Sequence, residues 1–145
     1  MRIDGSCHCG RIRYEAEIDP ADVAICHCTD CQTLSGTAFR IVVPARREAF
    51  TVTGEPKVYV KTAESGNKRA QAFCPECGTP LYATAPTDPE VYSIRLGSAR
   101  QRAELPPRKQ IWTRSALGWV MQAEAISALA ASREPALSPT SGLSR

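Results

Sequence analysis

The sequence lacks a hydrophobic run that could cross a membrane, since no run approaches the ~20 apolar residues that a spanning helix needs. Its first six residues, MRIDGS, contain no apolar stretch of the kind that a secretory leader carries. A strong excess of charge is also absent, because a net charge of +3 is too small to indicate a nucleic-acid binder by itself. We therefore expect a soluble, cytoplasmic protein with no membrane partner.

The chain is too short for two full domains. Its 145 residues, 43% of them hydrophobic, can enclose one modest core. Pro, Ser, Thr and Gly dominate from Pro135 onward, which is typical of a disordered segment. We predict one domain over residues 1–134 and a disordered tail over residues 135–145.

Seven cysteines are what the sequence does have, and they fall into three groups. In a reducing compartment, clustered cysteines are more often metal ligands than disulfide partners. Seven ligands divide into one closed set of four and one open set of three. A redox-active CxxC is the alternative for the third group, but the partner pattern of a thioredoxin-like unit is missing. The groups are Cys7 with Cys9, then Cys26 with Cys28 and Cys31, then Cys74 with Cys77.

The segment from Cys74 to Gly78 has the form of a zinc knuckle, in which a tight turn presents two thiolates to a metal. Two ligands cannot close a tetrahedral site, and Cys7 with Cys9 is a pair that lacks a third local ligand. We assign Cys7, Cys9, Cys74 and Cys77 to one structural zinc site. Spacing alone also permits Cys31 to join the knuckle while the other four cysteines form the closed site.

The triplet Cys26, Cys28 and Cys31 can hold a second metal with one coordination position open to a substrate. The alternative is that another group of the protein fills this position. His8 and His27 are candidates, but in extended backbone each would point away from the metal that its cysteine neighbours bind. An iron-sulfur cluster is the alternative interpretation, but neither cysteine group has the spacing of a ferredoxin. We therefore predict two zinc ions per chain.

Alternating side chains predict a mainly β domain. The only long helical pattern lies at residues 120–131, and a short helical turn at residues 28–35 is predicted to stop at Gly36. Pro44 is expected to end the strand that precedes it. The predicted strands are residues 12–18, 38–43, 50–53, 57–61, 69–73, 80–84 and 91–96.

Three motifs together resemble the glutathione-dependent formaldehyde-activating enzyme family, also called the GFA/CENP-V family. They occur in the family's order and cover the chain from about Arg2 to Val120. Gln32 stands where many relatives carry arginine. Lys109-Gln110 replaces a histidine that relatives often carry before the aromatic residue matching Trp112. The motifs are GSCHCGRIRY from Gly5, CHCTDCQTLSGTAF from Cys26 and FCPECGTPLY from Phe73.

The resemblance implies a small zinc-stabilised β-tent of stacked antiparallel sheets with two zinc sites. It assigns the closed zinc to Cys7, Cys9, Cys74 and Cys77, and the catalytic zinc to Cys26, Cys28 and Cys31. The implied enzyme is a carbon-sulfur lyase that joins glutathione to formaldehyde and reverses that reaction.

Two other functions are alternatives to this enzyme, and the second would use the same residues. One is a non-catalytic zinc module for nucleic acid or a protein partner, and the other is a glutathione carrier without turnover. A basic stretch offers charge for a nucleic acid or for the carboxylates of glutathione. Trp112 and Trp119 could line a pocket or pack in the core. The basic stretch consists of Arg95, Arg100, Arg102, Arg108, Lys109 and Arg114.

Overall fold

The computed structural model describes residues 1–131, which form ten β-strands, one α-helix and six 3-10 turns. The prediction of a mainly β fold is confirmed. The strands and the helix are β1 Arg2–Ser6, β2 Arg13–Glu17, β3 Ala24–Cys26, α1 Thr29–Ser35, β4 Arg40–Arg46, β5 Phe50–Thr53, β6 Lys57–Thr62, β7 Lys68–Phe73, β8 Pro80–Thr84, β9 Val91–Arg95 and β10 Lys109–Ile111. The 3-10 turns are Pro20–Asp22, Arg47–Ala49, Leu96–Ser98, Arg102–Glu104, Thr113–Ser115 and Val120–Ala125.

Two sheets stack against each other. The small sheet has the order β1-β2-β5, and the large one has the order β10-β3-β4-β9-β8-β7-β6. Neighbouring strands are antiparallel except β10, which runs parallel to β3 and brings residues 109–111 beside the second cysteine group. An all-antiparallel arrangement is therefore wrong at this one edge.

The alternating pattern of β2 explains how the sheets meet. Tyr14 and Ala16 point inward and are buried, while the charged residues between them face solvent. Phe50 of β5 reaches across to the large sheet, where its ring centroid lies 5.2 Å from that of Tyr82 and 4.5 Å from that of Tyr92. Burial of these apolar and aromatic side chains between the sheets is the main force that holds them together.

The opposite face of the large sheet carries charge. Val43 and its cross-strand partner Ile94 belong to the buried core between the sheets. Because side chains alternate along a strand, Arg40 and Val42 point to the other face, and Arg95 pairs with Val42 on that same face. This outer face is where the candidate site lies.

Two expectations were wrong in detail. Pro44 does not end its strand, because β4 continues to Arg46. The proline lies beyond Val42, the last β4 residue that pairs with β3, so the strand is tolerant of a missing N–H there. The helix expected at residues 120–131 is only a 3-10 turn over Val120–Ala125, in keeping with its weak apolar stripe.

The predicted tail, residues 135–145, lies outside the described residues. Within residues 1–131, no helix is both long and apolar enough to cross a membrane.

Candidate metal centres and an adjoining cavity

Two turns from distant parts of the chain bring four cysteines together. Cys7 and Cys9 follow β1, and Cys74 and Cys77 lie in the turn between β7 and β8. All four sulfurs lie within 4.8 Å of one another, with 3.6 Å between Cys7 and Cys9 and 3.7 Å between Cys9 and Cys74. A tetrahedral zinc with bonds of ~2.3 Å separates its sulfur ligands by ~3.8 Å. Both the donor atom, sulfur, and the distances between the sulfurs therefore fit zinc.

The backbone around this cluster is shaped to stabilise thiolates. The N–H of Ile12 donates to Cys7 Sγ over 3.3 Å, and Gly78, at a φ of 77°, closes the second turn by donating to the Cys74 carbonyl. Hydrogen bonds from the Thr79 hydroxyl and backbone lower the pKa of Cys77 to about 5. Cys77 thus favours the charged form that a metal requires.

The second group lies where β3 runs into α1. Cys26 ends the strand, Cys28 is the N-cap residue of the helix, and Cys31 lies in its first turn. The Cys31 N–H donates to Cys28 Sγ over 3.3 Å, and the helix ends at Gly36, whose φ is 71°, as expected. The three sulfurs lie within 4.8 Å of one another. Hydrogen bonding between Cys31 and Cys26 lowers the pKa of Cys26 and raises that of Cys31.

Neither histidine joins a cysteine group. His8 is exposed, whereas His27 is 1% exposed, and its Nε2 lies 2.7 Å from Gln110 Oε1. The ring of His27 also packs edge-on against Phe39. The expectation that His27 serves packing and hydrogen bonding agrees with these contacts.

Contacts that the sequence did not predict hold the second group in place. Gln32 Nε2 donates to the carbonyl of His27 over 2.8 Å and to that of Ser115 over 2.9 Å. Lys61 of β6 forms an ion pair with Asp30 in the first turn of α1. The cysteine-bearing loop is therefore clamped from two sides by groups remote in sequence, which no local pattern could have revealed.

A cavity of about 900 Å³ lies between the end of α1 and the four-cysteine cluster, and Cys26, Cys28 and Cys31 are not among its lining residues. Ser35 and Thr37 line it on the side of α1, Cys7 and Thr79 line it near the four-cysteine cluster, and Arg40 lines it from the sheet. Its volume lies within the range of small-molecule sites. Trp112 and Trp119 are not among its lining residues, and both are at least 38% exposed, so neither packs in the core.

Four of the six cations of the basic stretch are paired with a carboxylate or buried. Arg100 pairs with Asp4, Lys109 with Asp22 and Arg114 with Glu64, whereas Arg95 is buried. Neutralised cations of this kind give little support to binding along a nucleic-acid backbone.

Comparisons with known proteins agree with this geometry. Residues 2–115 match the sequence profile of the glutathione-dependent formaldehyde-activating enzyme family. A Halomonas elongata protein provisionally named as such an enzyme is 27% identical over 114 residues, covering 75% of this chain and 73% of its own. An uncharacterized lyase of Schizosaccharomyces pombe is 30% identical over 83 residues, covering 54% and 55% of the two chains. The crystal structure of a Rhodobacter sphaeroides protein has the same fold, with a TM-score of 0.57 and 21% identity, and covers 74% of this chain and 98% of its own.

Proposed function

Because this chain belongs to the glutathione-dependent formaldehyde-activating enzyme family, we propose that it joins a small thiol such as glutathione to formaldehyde and catalyses the reverse cleavage. The proposed enzyme is thus a carbon-sulfur lyase with S-(hydroxymethyl)glutathione as its adduct. The observation that carries the proposal is the group of Cys26, Cys28 and Cys31, which no fourth His, Cys, Asp or Glu donor of residues 1–131 joins.

The two cysteine groups are proposed to have different tasks. Cys7, Cys9, Cys74 and Cys77 supply a complete tetrahedral donor set for a structural zinc that ties two distant turns together. Cys26, Cys28 and Cys31 supply three donors to a second zinc. Zinc held by these three cysteines would supply a Lewis acid that lowers the pKa of a nearby thiol and so favours its thiolate form.

The residues around the second group orient this chemistry. Gln32 fixes the loop through two carbonyl groups, while Asp30 and Lys61 hold the start of α1 against the large sheet. In the forward reaction, a carbon-sulfur bond forms as the carbonyl π bond breaks, and the former carbonyl oxygen takes up a proton. No electron is transferred to an external acceptor, so the proposed reaction needs no oxidant or reductant.

The reaction can be tested with purified protein by measuring the exchange between free and adduct glutathione in NMR spectra. Zinc-loaded protein should contain two zinc ions and accelerate this exchange in the presence of formaldehyde. Cys28→Ser should abolish the acceleration while leaving the four-cysteine cluster intact. An exchange rate equal to the uncatalysed one would contradict the proposed enzyme.

The same measurements separate the alternatives. A glutathione carrier would bind the thiol and show no acceleration. A non-catalytic module would hold two zinc ions without any response to the thiol, and binding to nucleic acid would weaken steeply with salt.

A further inference from the structure

Two buried arginines lie beside the three-cysteine group without an acidic partner among residues 1–131. Arg40 is 6% exposed and Arg95 is 8% exposed. Nε and Nη2 of Arg40, and Nε of Arg95, find no hydrogen-bond acceptor in the described part of the chain. A buried charge with unsatisfied donors is strongly unfavourable, so its presence calls for an explanation.

The register of the large sheet forces the two arginines together. Arg95 pairs with Val42, two residues along β4 from Arg40, so both side chains are on the outer face of the sheet. Among residues 1–131, the only acceptors that the Arg95 side chain reaches are neutral, namely Gln71 Oε1 at 2.7 Å and Ser93 Oγ at 3.3 Å. Burial, together with the charge of Arg40, lowers the pKa of Arg95 to about 9. The charges of Cys31 and Cys26 oppose this effect, and a further anion beside the two arginines would add to their contribution.

The cysteine sulfurs do not supply the missing acceptors. Arg40 is the cross-strand partner of Cys26, and its charge acts on the Cys31 thiol, yet its Nε and Nη2 donate to neither sulfur. Both arginines line the cavity of about 900 Å³. Both side chains thus contribute to the wall of a cavity large enough for a small peptide, and Arg40 also lies beside the cysteine group proposed to receive a thiol.

We propose that Arg40 and Arg95 bind a carboxylate of the same substrate whose sulfur enters the three-cysteine centre. This inference rests on the proposed function and narrows it. A guanidinium presents parallel N–H groups that match the two oxygens of a carboxylate. The substrate class is accordingly a thiol that carries a carboxylate at some distance from its sulfur, and a simple alkyl thiol lacks the anchor.

Calorimetric titration of the zinc-loaded protein with two probes tests the proposed contact between the two arginines and a substrate carboxylate. The probes are glutathione and its diethyl ester, in which both carboxylates are capped while the thiol is unchanged. Wild-type protein should bind glutathione about ten- to a hundredfold more tightly than the diester, since hydrogen bonds to charged groups have effects of this size. Arg40→Gln and Arg95→Gln should remove most of that preference and leave the affinity for the diester nearly unchanged.

Arg47 provides a matched control. It is exposed and directly follows the far end of β4, so Arg47→Gln removes one positive charge at a distance from the cavity. This variant should keep the wild-type preference for glutathione. If Arg40→Gln weakened both probes equally, or if it weakened neither, the proposed carboxylate contact would be refuted.

Failure of the proposed function would look different, because wild-type protein would then either bind neither thiol or bind glutathione without accelerating its exchange with the formaldehyde adduct. A structural role for the arginine is tested separately with Arg40→Met. The desolvation cost of a buried guanidinium offsets its attraction to the nearby thiolates, so Arg40→Met should retain both zinc ions and a melting temperature close to that of wild type. A lower melting temperature together with loss of zinc would show that Arg40 supports the fold or the metal, and would overturn the inference.

Discussion

Loss of one cysteine from each group should have very different effects on folding. Cys77→Ser opens the four-cysteine cluster, which joins the turn after β1 to the turn between β7 and β8. Cys9 and Cys74 are 65 residues apart, whereas the second group lies within one segment from Cys26 to Cys31. The relation used for disulfide cross-links gives about 4 kcal/mol for closing the long loop and about 2 kcal/mol for the short one.

Burial of the four-cysteine cluster should increase this difference in destabilisation between the two substitutions. Cys7 and Cys74 are at most 1% exposed and belong to the hydrophobic core, so loss of the metal would leave their thiols without a partner inside it. Structural zinc contributes ~10 kcal/mol or more to the folding of small zinc domains, comparable to the whole stability of a typical domain. We therefore expect Cys77→Ser to unfold the domain or to lower its free energy of unfolding by at least about 4 kcal/mol. Cys28→Ser should lower it by about 2 kcal/mol or less.

Urea denaturation of the zinc-loaded proteins, followed by circular dichroism, measures both values. Metal analysis of each variant should show one zinc fewer for Cys28→Ser, with the fold retained. Equal destabilisation by the two substitutions would refute the reasoning, because both metals would then be structural.

Three further substitutions probe the surroundings of the site. Asp30→Asn should lower the free energy of unfolding by about 1–3 kcal/mol, because it leaves Lys61 partly buried without its counter-charge. Adding Lys61→Met should recover part of this loss in the same urea denaturation assay. Gln32→Leu should lower it by about 1–2 kcal/mol through the loss of two hydrogen bonds, and hydrogen exchange should become faster in residues 112–115. Gly5→Ala should be more damaging than a typical surface change, since the added Cβ would lie 2.4 Å from Tyr14 Oη, and a melting temperature equal to that of wild type would contradict this packing.

The strands with clear alternation could be predicted from the sequence, because one buried face leaves a period of two. Phe50–Thr53 and Pro80–Thr84 have the predicted bounds. The strands β1, β3 and β10 were missed. Two of them, β3 and β10, have three residues each, and β10 forms only by pairing with β3, so their formation depends on tertiary contacts rather than on a local pattern.

The candidate site divides in a similar way. Cysteine spacing predicted which residues could bind a metal but left the grouping open. The family resemblance implied that Cys31 joins Cys26 and Cys28 rather than the knuckle, and the fold brings these three together. The proximity of Arg40 and Arg95 had no sequence signal, because they are more than fifty residues apart in the chain and come together only through the pairing of β4 with β9. Buried charge of this kind becomes visible only when accessibility and hydrogen bonding are known.

The central claim is that one zinc is fully ligated by the protein and the other accepts a substrate sulfur. Zinc K-edge absorption of the protein with two bound zinc ions tests it most directly. Without glutathione, the spectrum should report 3.5 sulfur ligands per zinc, the mean of four and three, and saturation with glutathione should raise this value to four. An unchanged sulfur coordination number after saturation would contradict the account.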